Sequence, residues 1–282
     1  MKNGILLINK PSGMTSRDVV NVICKKFNTR KVGHAGTLDP LASGLLIICL
    51  NKATGLIELL SYDDKEYIAN VRLGLLTDTL DITGNIIKED YNYKLDKDEL
   101  IKTLNSFIGY YEQEVPLYSS IKVNGKRLYD YARKNKEVIL PKREVEIKEI
   151  SLIDFNNDCF SFKVRVSKGT YIRSLIRDIG NKLNILMTME GLIRTEVDNY
   201  KLEDAIELNN INEDNIIPVE KFLNFYKVNV DDKLRKKVLN GVRLKNIYNK
   251  EYVMFMDNNK LIAIYKNNNS NELCMFKSFK DN

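Results

Sequence analysis

The chain has 282 residues, 44% of them hydrophobic, enough for one large or two ordinary domains with a sizeable core. No apolar run reaches the roughly eighteen residues of a membrane helix, and Met1 to Asn9 is too short for a secretory leader, so a soluble cytoplasmic protein with no membrane partner is expected. Four scattered cysteines without C-x-x-C spacing and a single histidine, His34, argue against disulfides, a zinc site and any mechanism that needs two imidazoles.

The net charge of +6 is modest for a nucleic-acid binder but unevenly spread. Between Pro116 and Arg143 stand eight basic residues (Lys122, Lys126, Arg127, Arg133, Lys134, Lys136, Lys142, Arg143) and two acidic ones (Asp130, Glu137), so this segment alone carries the charge of the whole chain.

In chain order, Gly4 to Asn9 reads as a short buried strand that ends in the turn Lys10-Pro11-Ser12-Gly13. Thr15 and Asp18 have capping-box spacing, and Val19, Val20, Ile23 and Phe27 follow on one helical face. Lys31 to Leu50 opens as a polar, glycine-punctuated loop and closes in an apolar strand, Leu45 to Leu50. Lys65 to Gly74 alternates Tyr67, Ala69, Val71 and Leu73 against Ile68, Asn70 and Arg72, the pattern of a half-buried strand. Thr77 to Gly84 is a turn rich in acids and hydroxyls.

Phe160 to Val166 alternates in the same way, Ser167 to Thr170 breaks it, and Ile172, Leu175, Ile176, Ile179 and Leu183 then follow helical spacing with Thr170 as the expected N-cap. Arg173 falls in the first helical turn. After the polar stretch Asn209 to Asn215 a region of short strands begins near Asn224, and Tyr252 to Met256 with Leu261 to Tyr265 form a hairpin. The predicted division is residues 1–224 and 225–282.

The stretch Gly33 to Pro40 (GHAGTLDP) sets a carboxylate among glycines, ahead of a proline that fixes the backbone. Spacing alone leaves two readings open, a structural turn capped by Asp39 or a reactive carboxylate. With Leu41 to Gly44 (LASG) added, the stretch resembles the catalytic motif of the TruB family of tRNA pseudouridine-55 synthases. Gly4 to Met14, Lys65 to Asp81, Tyr118 to Arg133 (YSSIKVNGKRLYDYAR) and Ser167 to Arg173 (SKGTYIR) resemble further motifs of that family, in family order.

The resemblance implies an α+β pseudouridine synthase fold: a mixed, largely antiparallel sheet with flanking helices, an RNA-gripping insertion at about 116–143, and a small C-terminal β-rich PUA-like domain. It implies that Asp39 is the nucleophile that attacks the T-loop uridine, with base flipping and without cofactor or metal. A carboxylate attacks in its charged form, which a neighbouring guanidinium stabilises, and Arg173 is the implied partner. The resemblance further implies that Tyr67 is the tyrosine that stacks on the base and assists proton transfer, and that Tyr171 and Leu192 wall the uracil pocket. It also implies that His34 lies against the RNA beside the flipped base and that Lys10 supports the pocket or contacts RNA. Lys122, Lys126, Arg127 and Arg133, interleaved with Tyr118, Tyr129 and Tyr131, are the expected phosphate contacts.

The implied partner is the tRNA T-arm, bound by a monomer without guide RNA. The chain departs from the family's common residues at Ser120 (alanine), near Asn135 (glycine), at Ile193 (arginine) and at Asp198 (glycine). Two rivals remain: a catalytically silent RNA-binding protein on the same scaffold, against which the intact Asp39, Tyr67 and Arg173 set argues, and a carboxylate glycosidase. The latter wants a second, paired acid, for which Asp81 is the nearby candidate and reads as structural.

Overall fold

The computed structural model describes residues 3–60, 64–134 and 136–280; Asn135, near which the chain departs from the family's glycine, lies outside them. The first strand, β1 (Gly4–Lys10), leads into α1 (Ser16–Lys26), whose capping box from Thr15 and Asp18 forms as the spacing requires. The chain then makes β2 (Val32–Ala35), β3 (Ser43–Leu50), a short α2 (Ile57–Leu60) and the long β4 (Lys65–Leu73). The hairpin β5 (Leu75–Thr77) and β6 (Ile86–Glu89) encloses the acidic turn, followed by α3 (Lys97–Asn105) and β7 (Gly109–Glu114).

The basic segment is a two-residue-per-strand hairpin, β8 (Lys122–Val123) and β9 (Lys126–Arg127), and a single-turn helix α4 (Leu128–Ala132). Asn124 and Gly125 both have positive φ (49° and 78°), the backbone that a two-residue hairpin turn needs. Next come β10 (Lys142–Phe155), β11 (Cys159–Val166), α5 (Ile172–Leu183), β12 (Met187–Val197), and the short β13 (Tyr200–Lys201) and β14 (Ile206–Glu207). The last part comprises α6 (Val219–Phe222), β15 (Tyr226–Asn229), α7 (Asp232–Leu239), β16 (Leu244–Lys245), β17 (Tyr252–Asp257), β18 (Lys260–Asn267) and β19 (Glu272–Ser278).

The main sheet has the order β14-β1-β3-β12-β4-β11-β10-β7, with β2 on β3 and β13 on β12. Among the described residues of this sheet only β1 with β14 and β3 with β12 pair in parallel, so it is mixed and largely antiparallel. Leu6, Ile8, Leu46 and Ile48 face the core formed with α1, α3 and α5, while Ile5, Leu7, Leu45 and Ile47 face the opposite way. Burial on both faces explains why β3 reads as a continuous apolar run rather than an alternating one. The alternating strands β4 and β11 are covered on one face by α5.

The second sheet runs β15-β17-β18-β19-β16. On one face Val253, Phe255, Ala263 and Tyr265 pack with Val238 of α7. On the other, Met254, Met256, Leu261 and Ile264 join the same apolar cluster as Ile5, Leu7, Leu45 and Ile47 of the main sheet. No helix among the described residues is long and apolar enough to cross a membrane.

Two local expectations need correction. The stretch Val32–Ala35, within the part of Lys31 to Leu50 read as a polar, glycine-punctuated loop, is strand β2, held by pairing with the apolar β3. Tertiary pairing outweighs a poor local pattern here. The N-cap of α5 is Tyr171 rather than Thr170, whose hydroxyl donates instead to the Ser167 carbonyl at 3.0 Å.

Candidate active site

The Asp39 loop emerges where the main sheet splits. One edge of β3 pairs with β1; the other is shared, with β12 bonded at Ser43 and Gly44 and β2 bonded from Ile47 to Leu50. Between those two pairings the chain from Gly36 to Ala42 leaves the sheet, and Asp39 stands on it with its side chain 37% exposed. A carboxylate left accessible on a loop rooted in two buried strands is the placement expected of a reacting group.

Arg173 approaches from the first turn of α5. Its Nη2 lies 2.9 Å from Asp39 Oδ2 and donates to the Tyr118 carbonyl at 3.1 Å; Nη1 donates to the Thr79 carbonyl at 2.9 Å. Asp81 lies 3.9 Å away. Arg173 is almost wholly buried, and a guanidinium so enclosed must have its donors matched by acceptors. Asp81 is occupied elsewhere, since Oδ1 accepts from the Thr79 hydroxyl at 2.9 Å and the Thr83 amide at 3.0 Å. It builds the acidic turn that offers Arg173 the Thr79 carbonyl.

Tyr67 lies on the core side of β4, buried, with Arg194 and Val164 as its register partners; Leu192, opposite Ala69, shares its apolar cluster. Tyr171 precedes α5 with the Arg143 guanidinium 5.4 Å from its ring centroid. His34 sits on β2, its imidazole pushed below the ordinary value by burial and then by the positive charges of Arg17 and Arg194. Lys10 is fully buried and turned inward, donating to the carbonyls of Pro11 (2.9 Å), Met14 (2.6 Å) and Pro40 (3.5 Å). Burial lowers its ammonium to about 8, against the opposing attraction of Asp39. Of its two expected roles, this placement fits support of the pocket rather than direct contact with RNA.

Lys122, Lys126, Arg127 and Arg133 are all exposed on the insertion. Arg127 and Arg133 flank the ring of Tyr129 at 5.6 and 5.4 Å, and Tyr131 straps the helix to the hairpin through the Val123 carbonyl at 3.0 Å. An open cleft of about 720 Å³ separates the insertion from the acidic turn, lined among others by Leu117, Tyr118, Ile139, Leu140 and Asp78.

The sequence reading missed Arg194. Its guanidinium is fully buried at the split in the sheet, where Nε donates to the Leu45 carbonyl at 2.7 Å and Nη2 to the Gly36 carbonyl at 3.3 Å. It thereby supplies the donors that neither β2 nor β12 can offer there, and ties together both ends of the Asp39 loop. Gly44 permits this closeness: a Cβ on it would sit 2.4 Å from the Arg194 carbonyl oxygen. No local pattern announces such a role, because its acceptors lie about 150 residues away in sequence.

The profile described as TruB family pseudouridylate synthase (N terminal domain) matches residues 24–172. The chain belongs to the TruB family. A TruB-family relative from Clostridium tetani, named tRNA pseudouridine synthase B, is 44% identical over 249 residues, 86% of each chain. One of the same name from Mesoplasma florum is 38% identical over 96% of both chains. Among solved structures, a chain of an H/ACA RNP bound to a substrate RNA containing 2'-deoxyuridine is similar at 26% identity, covering 99% of this chain and 85% of that one with a TM-score of 0.71. The two segments whose motifs resemble that family, Gly33 to Gly44 and Ser167 to Arg173, meet in the Asp39 and Arg173 ion pair. At Asp198, where the family commonly has glycine, the backbone keeps the glycine-like left-handed form with φ of 52°.

Proposed function

We propose that this chain is a monomeric, cytoplasmic enzyme that isomerises the T-loop uridine of tRNA, position 55, to pseudouridine without guide RNA. The observation that carries the reading is the accessible Asp39 carboxylate held at 2.9 Å by the buried Arg173, in a family whose relatives bear the name tRNA pseudouridine synthase B over nearly their whole length.

Asp39 attacks the flipped nucleotide, at the sugar carbon or at the base, and the glycosidic C–N bond breaks. The uracil turns within the pocket and bonds the sugar through carbon; the proton on that carbon is lost, the ring nitrogen freed from the sugar takes one up, and the carboxylate is released unchanged. Arg173 fixes the attacking oxygen, Tyr67 stacks on the base and assists the proton transfer, and Leu192 and Tyr171 keep water from the intermediate. Residues 1–224 form the catalytic unit and 225–282 a small RNA-binding unit. The insertion at about 116–143 closes over the T-arm through Lys122, Lys126, Arg127 and Arg133, and His34 meets the RNA beside the vacated base.

Unmodified tRNA incubated with the purified protein alone, followed by pseudouridine mapping, tests the proposal. Modification confined to the T-loop uridine supports it. Modification only when a guide RNA is added would move the chain to the guide-dependent branch, to which it has lower identity.

A further inference from the structure

Gln113, on β7, is fully buried yet polar. Its side-chain oxygen accepts from the Tyr171 amide at 2.8 Å, and its nitrogen donates to the Tyr171 carbonyl at 3.1 Å and to the Tyr111 hydroxyl. One side chain thus binds both main-chain groups of a single residue, and that residue is the N-cap of the helix that carries Arg173. Tyr171 makes no side-chain cap of its own; its carbonyl already accepts the first helical bond from Leu175 at 3.0 Å and takes the Gln113 nitrogen as a second donor. Besides that helical bond, the hydrogen bonds among the described residues that hold the two main-chain groups of Tyr171 come from Gln113.

The two neighbouring contacts run the same way. Arg177 binds Glu114 through its carboxylate at 3.0 Å and its carbonyl at 3.1 Å, and Arg173 binds the Tyr118 carbonyl. The end of β7 at 113 and 114, and the insertion just beyond it at 118, are therefore fastened to the start of α5, over the turn that presents Arg173 to Asp39.

We infer that Gln113 is a positioning residue for the reaction: it sets the start of α5, and through it the placement of Arg173 on Asp39, relative to the strand that enters the insertion. This deepens the proposed function and rests on it. The contact needs an acceptor for the Tyr171 amide and a donor for its carbonyl, which an amide supplies and a neutral carboxylic acid also supplies, whereas a thioether supplies neither and a carboxylate lacks the donor.

The test compares Gln113→Met and Gln113→Glu with the natural protein, reading the single-turnover rate at saturating unmodified tRNA, RNA affinity, and amide exchange at Tyr171. Gln113→Met should lower the rate by roughly 10- to 100-fold, as misplacement of a reacting pair does, leave affinity within about twofold, and speed exchange at Tyr171. Gln113→Glu should approach the natural rate at the acidic end of the range, where burial keeps the carboxyl neutral, and its rate relative to the natural protein should fall as pH rises. A Gln113→Met protein with the natural rate, or a Gln113→Glu ratio that is flat with pH, overturns the inference. Failure of the natural protein itself to convert uridine would instead overturn the functional reading, and is seen in a different sample.

Discussion

The guanidinium of Arg173 lies 2.9 Å from the Asp39 carboxylate while the same group holds the Thr79 and Tyr118 carbonyls. Three separate loops therefore meet at one buried cation: the loop bearing Asp39, the acidic turn, and the entry to the basic insertion. A contact with so many backbone anchors positions as much as it attracts.

Replacing that cation should show itself in turnover. Arg173→Leu is expected to lower the single-turnover rate by on the order of 100-fold or more, with RNA affinity changed far less, because the ion pair aligns the attacking oxygen. Parallel measurements of binding and of the rate at saturating RNA separate the two. A near-normal rate with weakened binding would make Arg173 a phosphate contact instead.

His34 should make the fold sensitive to acid. Burial, then Arg17 and Arg194, hold the His34 imidazole below its ordinary value of 6.5. The unfolded chain thus binds this proton at higher pH than the folded one, so the contribution is intact above 6.5 and is lost as pH falls below it. His34→Gln cannot take up that proton. Between about pH 7 and about pH 5 the natural protein should lose more of its urea midpoint than the variant does; equal losses would show that His34 titrates normally. Asp18 and Glu66, both lowered, add an acid-side loss common to the two proteins.

The exposed cations of the insertion should govern affinity through salt. Neutralising Lys122, Lys126 and Arg127 together removes up to three phosphate contacts, each expected to lower the log–log salt slope by about 0.7 to 0.9. Affinity should fall most at low salt while the rate at saturating RNA holds. A preserved slope with a lost rate would mean that these residues shape the active site.

What the sequence made legible follows from range. The strands β4 and β11 and the helices α1 and α5 were readable because period and capping are local: Tyr67, Ala69 and Val71 alternate inward, and Thr15 meets Asp18 three residues on. Asp39 and Arg173 were readable through the motif resemblance. The hairpin at Asn124-Gly125 carried a local signal, an Asn-Gly pair, that the charge of its surroundings obscured. Strand β2, Arg194 and Gln113 were not readable, since each acquires its role from a distant partner: β3 for Val32–Ala35, the Gly36 and Leu45 carbonyls for Arg194, and the Tyr171 peptide groups for Gln113.

The nucleophile is the centre of the account, and one comparison tests it: Asp39→Asn beside the natural protein, on unmodified tRNA, with folding, RNA binding and pseudouridine read from the same preparations. The substitution keeps the size of a partly exposed side chain and leaves an amide oxygen that can still accept from Arg173, but it removes the charge with which the carboxylate attacks, so the variant should fold, bind tRNA as tightly as the natural protein, and form no detectable pseudouridine. Substantial turnover by a folded Asp39→Asn protein would contradict the assignment.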